Sequence, residues 1–498
     1  MMKLRALSVI GLMACAAGCG ASSSEDAAGG LGGAGGGPGL TNFGVEPAED
    51  GPEADSASDA SKLGPASCVS DLPLEQVELS LGDIQGAASA ARAREVLLRS
   101  PAESPWPSRI RVSDFLNYYR ASADAPATEA SITLQARPRM LYSDVGQSTQ
   151  ATGQWDVVVA LHAPVANVRK QHALIAIVDT TPSMAGVGIG RAKAVLSALI
   201  NSAAAGDHLV VLTTDPEQGN PIELDLVGAA EREQAARAVG ELELGGESAI
   251  TEAIARAYDL AEIKQSLGMR ARVMLVSDGG GDVAGLDDGR LTTGSQPGEN
   301  PIALTAVGTG SSSWYRSTLL RRAAELGRGP YVYVDSEDEA KSLFGPRLPE
   351  MTEIALDGLS IQLEVSSFYT VHEAGEGIPS GSSPPQYLAP GASTTKLFRL
   401  VPCKFGATPS DTTIAVTATH SGGTVGWTGD LLELKKQPAA AMLDKALAID
   451  AYASALRARE GTRLAAAQTL IAAALKVGPD PDLSEMKELV ARHPLLNP

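Results

Sequence analysis

The sequence has few of the residue types on which many enzymes and nucleic-acid-binding proteins depend. Aromatic residues make up 4% of the 498 residues, and there are four cysteines and six histidines. Basic residues are also in deficit, with 40 Lys and Arg against 59 Asp and Glu, so the formal net charge is −19. This charge argues against nucleic acid and against an anionic membrane surface as the main partner.

The sequence also lacks the motifs of common hydrolases. It contains no G-x-S-x-G and no C-x-x-C, and its histidines do not have a ligand spacing such as H-x-x-x-H. A metal-assisted hydrolase needs a nucleophile or a base beside its ion. We therefore predict that the protein is not an enzyme, and a metal-assisted hydrolase remains an alternative interpretation.

Long apolar runs are absent after the N-terminus, and the N-terminus itself resembles an export signal. Lys3 and Arg5 precede the apolar residues 6–17, which are too short to span a membrane but fit a signal peptide. The residues up to Cys19, Ala-Ala-Gly-Cys, resemble a bacterial lipobox, so we expect lipid attachment at Cys19. Cys15 is the competing position, and an ordinary cleaved signal peptide is the other alternative. We expect a lipid-anchored envelope protein at the outer membrane, facing the periplasm or the surface.

The segment after this signal is not expected to fold. Residues 20–66 are mainly Gly, Ala, Ser, Pro and acidic residues, a composition typical of a flexible tether. Two cysteines, Cys68 and Cys403, remain beyond it. Disulfides persist in exported proteins, so a Cys68–Cys403 bond is one interpretation and two free thiols are the other.

The clearest functional pattern follows an apolar stretch in the middle of the chain. Residues 173–178 are Ala-Leu-Ile-Ala-Ile-Val, which is typical of a strand buried on both faces in a parallel sheet. Asp179 ends this run, and Thr181 and Ser183 follow it. Carboxylate and hydroxyl oxygens suit Mg²⁺, Mn²⁺ or Ca²⁺ better than zinc. The alternative is that these residues only form a turn and a helix cap.

Strands and helices alternate from residue 173 to about 345, which predicts a doubly wound, mostly parallel α/β sheet of the Rossmann-like type. The predicted strands are 173–178, 208–214, 272–277, 302–307 and 331–334, with a half-exposed edge strand at 221–226. The predicted helices are 191–204, 229–242, 249–266, 315–326 and 337–343.

Two further polar residues are expected at the same edge of this sheet as Asp179. Ser248 precedes the predicted helix 249–266, and Asp278 follows the predicted strand 272–277. In an open α/β sheet, ligands bind beyond the carboxyl ends of the strands, where such loops meet. As alternatives, Ser248 caps the helix and Asp278 is a turn residue.

These three loops resemble the metal-ion-dependent adhesion site of a von Willebrand factor type A domain, written D-x-S-x-S, then Thr, then Asp before Gly. The match falls on Asp179, Thr181, Ser183, Ser248 and Asp278. Thr181 stands where Ser is usual and Ser248 stands where Thr is usual, so both positions keep a hydroxyl. Pro182 stands where Gly is usual. The resemblance implies one divalent cation, Mg²⁺ first with Mn²⁺ or Ca²⁺ as alternatives. It also implies a protein partner whose Asp or Glu completes the coordination of the ion.

The chain is also similar to a bacterial lipoprotein subfamily that has a distinctive region on each side of this domain. Residues 110–119, 245–258 and 329–340 carry that similarity. The predicted regions are a signal peptide at 1–19, a tether at 20–66, an N-terminal associated region at 67–170, the type A domain at 171–347, a β-sandwich-like region at 348–436 and a helical region at 437–498. A structural envelope scaffold with a degenerate metal site is the main alternative function, and the oligomeric state is not predicted.

The flanking regions have weaker local patterns. Residues 87–99 predict a helix, and residues 110–119 predict a short helix with Ser113 or Asp114 near its start as the cap. Segments 131–140 and 154–163 predict strands of a β-rich stretch packed before the central sheet.

Overall fold

The structure of the chain is a computed structural model. It describes residues 72–79, 86–99, 103–122, 128–142, 149–165, 170–215, 221–246, 249–281, 286, 289–295, 301–311, 315–374, 386–404, 407–436 and 440–496. The predictions made for the signal peptide, the tether, Cys15, Cys19, Cys68 and Ser248 therefore lie outside the described residues.

Strands and helices are numbered in chain order. The strands are β1 (Leu74–Leu79), β2 (Ser131–Tyr142), β3 (Thr149–His162), β4 (His172–Val178), β5 (Asp207–Thr213), β6 (Ile222–Leu226), β7 (Arg270–Ser277), β8 (Leu304–Gly308), β9 (Arg328–Tyr333), β10 (Leu356–Ser366), β11 (Tyr369–Glu373), β12 (Gln386–Leu388), β13 (Ser393–Pro402), β14 (Thr413–His420) and β15 (Gly423–Asp430). The helices are α1 (Ala88–Arg99), α2 (Val112–Tyr118), α3 (Val187–Ser202), α4 (Ala229–Gly240), α5 (Ile250–Ser266), α6 (Gly289–Gly294), α7 (Ser317–Leu326), α8 (Glu337–Leu343), α9 (Leu348–Thr352), α10 (Leu431–Leu434), α11 (Ala441–Ala458), α12 (Gly461–Ala474) and α13 (Pro481–Arg492).

The central sheet has the strand order β6-β5-β4-β7-β8-β9. β4 runs parallel to both β5 and β7, and β7, β8 and β9 continue in parallel. β6 pairs antiparallel to β5 at the edge, and its residues alternate in burial, as predicted for the half-exposed edge strand. Every residue of β4 is buried, which explains why its sequence shows no alternation. The predicted doubly wound α/β fold is confirmed.

Helices cover both faces of this sheet because successive side chains of a strand point to opposite sides. Ile175 and Ile177 belong to an apolar core with residues of α1, α5 and α7. Leu174 and Val178 belong to a second core with residues of α3, α4, α8 and α9. The carboxyl end of β4 is therefore fixed from both sides, and the loop that follows it starts from a rigid position.

A β-sandwich lies next to this domain in the sequence and combines segments from both sides of it. One sheet contains β1, β10, β14 and β15, with β12 paired to β10, and the other contains β11, β13, β3 and β2. β3 pairs antiparallel with β13, from Ser393 opposite His162 to Leu400 opposite Trp155. The regions predicted at 67–170 and 348–436 thus share one sandwich, whose core includes Trp155 and Phe398.

Five helices pack together on the outer face of the sheet that contains β3. α1, α2, α11, α12 and α13 contribute to one apolar core with Val158 and Leu397. The predicted cap of α2 is wrong: the helix begins after Arg111, with no side-chain cap, and Asp114 accepts a hydrogen bond from Ser89 N at 2.8 Å instead. Among the helices that the structure describes, none combines the length and the apolar composition needed to cross a membrane.

Cys403 is disulfide-bonded, and its partner lies outside the described residues, as do the other three cysteines. The backbone brings the first described residues close to Cys403. Ser367 N donates to Pro73 O at 2.9 Å, and Cys403 N donates to Phe368 O at 2.9 Å. This proximity favours the predicted Cys68–Cys403 bond, which stays a prediction.

Candidate metal centre

Asp179 stands directly after β4 with its carboxylate held by the chain itself. Its Oδ1 accepts hydrogen bonds from Thr181 N at 3.0 Å and Thr181 Oγ1 at 2.7 Å. Its Oδ2 accepts a hydrogen bond from Ser277 Oγ at 2.6 Å. Asp179 is fully buried, and its backbone N–H donates to Val276 O of the neighbouring strand at 2.8 Å. Both oxygens of the carboxylate therefore have fixed directions.

The two hydroxyl residues of the first loop lie beside each other. Thr181 Oγ1 and Ser183 Oγ are 2.9 Å apart. Residues Pro182–Met184 form a single 3₁₀ turn, in which Met184 N donates to Thr181 O at 3.0 Å. Proline is well tolerated at the first position of such a turn, so Pro182 in place of the usual Gly does not disrupt the loop. Ser183 is exposed to solvent, whereas Asp179 lies beneath the surface.

Asp278 approaches this loop from the end of β7. Its side chain is 5% exposed, and its Oδ1 accepts a hydrogen bond from Gly280 N at 2.9 Å. A Cβ placed on Gly280 would lie 3.2 Å from Asp278 Oδ1 and 3.8 Å from Ser183 Oγ. The loops after β4 and β7 therefore converge, and four of the five predicted ligands, Asp179, Thr181, Ser183 and Asp278, lie at one edge of the sheet.

The fifth predicted ligand, Ser248, lies outside the described residues, but the residues on either side of it are tied to this edge. Gly245 N donates to Thr180 O at 2.8 Å, and Ala249 N donates to Thr214 O at 3.0 Å. Thr180 N donates in turn to Thr214 Oγ1 at 3.2 Å. Thr214 was not predicted as part of this edge, although its position directly after β5 was a usable signal.

Burial and hydrogen bonding act in opposite directions on the pKa of the Asp179 carboxylate. Burial raises the pKa of Asp179 above its usual value of 3.8, the hydrogen bonds from Ser277 and Thr181 oppose that rise, and the nearby Asp278 charge adds to it. Two carboxylates held close together in a partly buried site are stabilised by a bound cation.

The donor set consists of oxygens alone, which fits a hard divalent cation such as Mg²⁺, Mn²⁺ or Ca²⁺. Asp179 and Asp278 would supply charge, and Thr181 and Ser183 would supply neutral oxygens. In the described part of the chain, no three His, Cys, Asp or Glu side chains gather into a metal-binding group. The candidate site is not a group of that kind, because it combines two carboxylates with hydroxyl oxygens.

Two of the histidines lie away from this centre, and a third is held in one tautomer by its hydrogen bond. His172 and His208 lie at the starts of β4 and β5, on the edge of the sheet opposite to Asp179. His493 Nε2 lies 3.0 Å from Ser104 Oγ, but Leu495 N donates to His493 Nδ1 at 3.2 Å. Nδ1 is then the acceptor and Nε2 carries the proton, so in this tautomer His493 cannot take a proton from Ser104.

A doubly wound sheet with one antiparallel edge strand, and with its polar loops at the carboxyl edge, fits a von Willebrand factor type A domain. This part of the predicted resemblance is confirmed, and lipoprotein status stays a prediction. A solved von Willebrand factor type A protein from Catenulispora acidiphila is 14% identical to this chain. Its TM-score is 0.44, and the match covers 75% of this chain and 98% of that one. The conserved hypothetical protein BatB from Bacteroides thetaiotaomicron is 16% identical, with a TM-score of 0.27, over 35% of this chain and 95% of that one.

Sequence comparison finds one distant relative among those compared. The chain is 21% identical over 265 residues to the uncharacterized protein YfbK of Escherichia coli (strain K12), and the match covers 52% of this chain. The chain spans 45% of the length of that relative. No family model matches the chain.

Proposed function

We propose that this protein binds a protein partner through a divalent cation, and that an Asp or Glu side chain of the partner completes the coordination of the ion. The protein ligands of the proposed site are Asp179, Thr181, Ser183, Ser248 and Asp278. The observation that carries the proposal is the convergence of two separate loops: a Cβ placed on Gly280 would lie close to both the Asp278 carboxylate and the Ser183 hydroxyl.

The side chains of the proposed site differ in burial, and this difference supports a bound ion that remains accessible to solvent. Asp179 and Asp278 are buried, whereas Ser183 is exposed and Thr181 is partly exposed. A cation above the carboxylates and beside the hydroxyls would face solvent on its outer side. Hydroxyl ligands carry no charge, so the ion keeps most of its attraction for a further carboxylate. Mg²⁺ is the expected ion, with Mn²⁺ or Ca²⁺ as substitutes.

We also propose that the protein acts at the cell envelope, lipid-anchored through Cys19 with residues 20–66 as a spacer. The N-terminal sequence pattern is the support for this part of the proposal. The facing compartment is the periplasm or the exterior. Incorporation of labelled palmitate into the wild type and its loss in Cys19→Ser are expected, and equal labelling of both would contradict the anchor.

The test of the binding proposal is a pull-down from envelope extract with the full chain as bait, in Mg²⁺ and in EDTA. The wild type should retain a partner in Mg²⁺ and release it in EDTA, and Asp179→Ala should retain none while its circular dichroism spectrum stays that of the wild type. Asp225→Ala is the matched control, because it removes a carboxylate at 72% side-chain exposure on the edge strand β6.

Two results would contradict the proposal. The first is retention of the same partner in EDTA, and the second is metal-dependent retention by Asp179→Ala at the wild-type level. A scaffold with a degenerate site would instead show no change in melting temperature when millimolar Mg²⁺ or Mn²⁺ is added.

A further inference from the structure

The position of Asp278 depends on the connection between β8 and α7, of which the structure describes residues 309–311 and 315–316. Arg316 N donates to Asp278 O at 2.9 Å. A Cβ on Gly310 would lie 2.5 Å from Asp278 Cβ, so the backbone of this connection packs directly against the Asp278 side chain. Any shift of the β8–α7 connection would therefore move this metal ligand.

Helix α1 holds this connection at its far end through Arg92. The Arg92 guanidinium lies over the ring of Tyr315, 4.5 Å from its centroid, and both side chains are buried. The Tyr315 hydroxyl lies 2.6 Å from the Tyr331 hydroxyl. A buried cation over an aromatic face is a favourable contact, and here it fixes the residue that precedes Arg316.

The same helix reaches the near end of the connection through Glu95. Glu95 Oε1 accepts a hydrogen bond from Arg191 Nη2 at 2.8 Å, and Arg191 Nη1 donates to Gly310 O at 2.8 Å. Glu95 Oε2 accepts from the Tyr333 hydroxyl at 2.5 Å, and that hydroxyl lies 2.6 Å from Gly310 O. The Glu95 side chain is 3% exposed, so this is a buried ion pair whose disruption leaves a buried charge unpaired.

A third contact lies between these two. Arg99 Nη1 donates to Ser311 Oγ at 3.2 Å and also pairs with Glu95 Oε1 at 3.0 Å. Arg92, Glu95 and Arg99 follow the helical spacing of three and four residues, so they lie on one face of α1. That face is turned toward the β8–α7 connection, although α1 precedes the central domain in sequence.

We infer that α1 positions the metal centre: Arg92 and Glu95 hold the β8–α7 connection in the conformation that places Asp278 opposite Ser183. Neither residue is a metal ligand. The inference rests on the proposed metal-binding function for its effect on affinity, but not for its effect on the local structure around Asp278.

The test compares Arg92→Gln and Glu95→Gln with Arg94→Gln as the matched control. Arg94 lies on the same helix and has two ion pairs, with Asp335 and Glu485, but no described contact with residues 309–311 or 315–316. The first readout is amide hydrogen exchange in EDTA. Gly280 N and Arg316 N, which donate to Asp278, should exchange faster in Arg92→Gln and Glu95→Gln and at the wild-type rate in Arg94→Gln.

The second readout is the Kd for Mn²⁺ of the full chain. We expect it to rise about tenfold in Arg92→Gln and Glu95→Gln, as for other residues that orient metal ligands without touching the ion. Arg94→Gln should bind as the wild type does, and Arg92→Lys, which keeps a cation over Tyr315, should recover most of the affinity.

The two readouts separate the inference from the proposed function. Unchanged exchange at Gly280 and Arg316 in both test variants overturns the positioning role of α1, whatever the wild type binds. Faster exchange in those variants together with no Mn²⁺ binding by the wild type supports the positioning role and overturns the proposed function. Equal changes in Arg94→Gln also overturn the inference, because the effect would then be general loosening of α1.

Discussion

Gly279 has the least freedom to change among the residues around the candidate metal centre. Its φ is +85°, a backbone conformation that residues other than glycine rarely adopt. A Cβ there would lie 1.6 Å from Arg316 O. The residue lets the chain turn sharply between Asp278 and Gly280, and it lets the β8–α7 connection approach. Two demands on the backbone, a left-handed conformation and a close contact, thus meet at one position.

We predict that Gly279→Ala lowers the free energy of unfolding by about 2 kcal/mol or more, because a backbone atom cannot move aside as a flexible side chain would. The same substitution should weaken Mn²⁺ binding by displacing Asp278. Urea unfolding and a Mn²⁺ titration measure the two effects.

Gly190→Ala is the control for this prediction. Gly190 lies within α3, and a Cβ there would meet nothing within 4 Å. Alanine is the better helix former, so Gly190→Ala should be neutral or stabilise the protein by roughly 0.5–1 kcal/mol. Equal stability of Gly279→Ala and the wild type would contradict the close approach of Arg316 O to Gly279.

At the scale of elements, α2 and α9 are joined by an ion pair between residues far apart in sequence. The Arg120 guanidinium, just after α2, lies 2.5 Å from a carboxylate oxygen of Glu350 in α9, and Arg347 Nη2 lies 2.9 Å from the same carboxylate. Burial alone would raise the pKa of Glu350, but Arg347 and Arg120 outweigh burial and hold the pKa below its usual value of 4.5. The charged form is therefore the one that stabilises the fold.

The direction of this pKa shift determines how the contribution of Glu350 to stability depends on pH. Because the pKa of Glu350 is lower in the folded than in the unfolded chain, its contribution is complete above pH 4.5 and is lost as the pH falls through the lower folded value. We predict that Glu350→Gln reduces the free energy of unfolding by about 1–2 kcal/mol at pH 7, since the pair is partly exposed. The difference from the wild type should shrink toward pH 3 in urea unfolding. A difference that grows on acidification would contradict the ion-pair role.

The elements of the central sheet could be predicted because the apolar pattern of each local sequence indicates how the element is buried. All five parallel strands and the antiparallel edge strand are found where the apolar patterns place them. Two starts differ by three residues or more: α3 begins at Val187 and not at 191, and β9 begins at Arg328 and not at 331. Glycine discourages both kinds of element, but Gly188 packs against Met184, and Gly329 lies where a Cβ would be 1.9 Å from Leu304 O. A close contact, local for Gly188 and between neighbouring strands for Gly329, accompanies each of these starts.

The sandwich could not be predicted in its observed form. Its sheets pair β3 with β13 and β1 with β10, and no local pattern specifies which distant strand a given strand will join. The rule for strand ends indicated that Asp179, Thr181, Ser183 and Asp278 would meet. The sequence did not indicate that α1 would lie behind them, because that contact also joins distant segments. The hydrogen bond from Ser277 to Asp179 was equally beyond local patterns.

At the scale of the whole molecule, the disulfide of Cys403 links the β-sandwich to a residue distant in sequence. We predict that its partner is Cys68, so that the bond ties the start of the folded region to the loop after β13. Peptide mapping of the exported protein without reduction should yield a cross-linked pair containing Cys68 and Cys403. Reduction should lower the melting temperature, since a bond closing so long a loop stabilises by about 2–5 kcal/mol.

Cys68→Ser provides the control for this prediction. It should leave one Cys403 thiol open to alkylation in the folded protein and should lower the melting temperature as reduction does. Cross-linked peptides that join Cys403 to a different cysteine would contradict the assignment.

The proposed function depends on one cation that binds where the loops after β4 and β7 converge. Its most direct measurement is a Mn²⁺ titration of the full chain, with free Mn²⁺ followed by electron paramagnetic resonance, for the wild type, Thr181→Val and Asp278→Asn. We predict one ion per chain in the wild type, displaced by Mg²⁺, with weaker binding in Thr181→Val and none in Asp278→Asn. A wild type that binds no ion, or an Asp278→Asn variant that binds with the wild-type Kd, would contradict it.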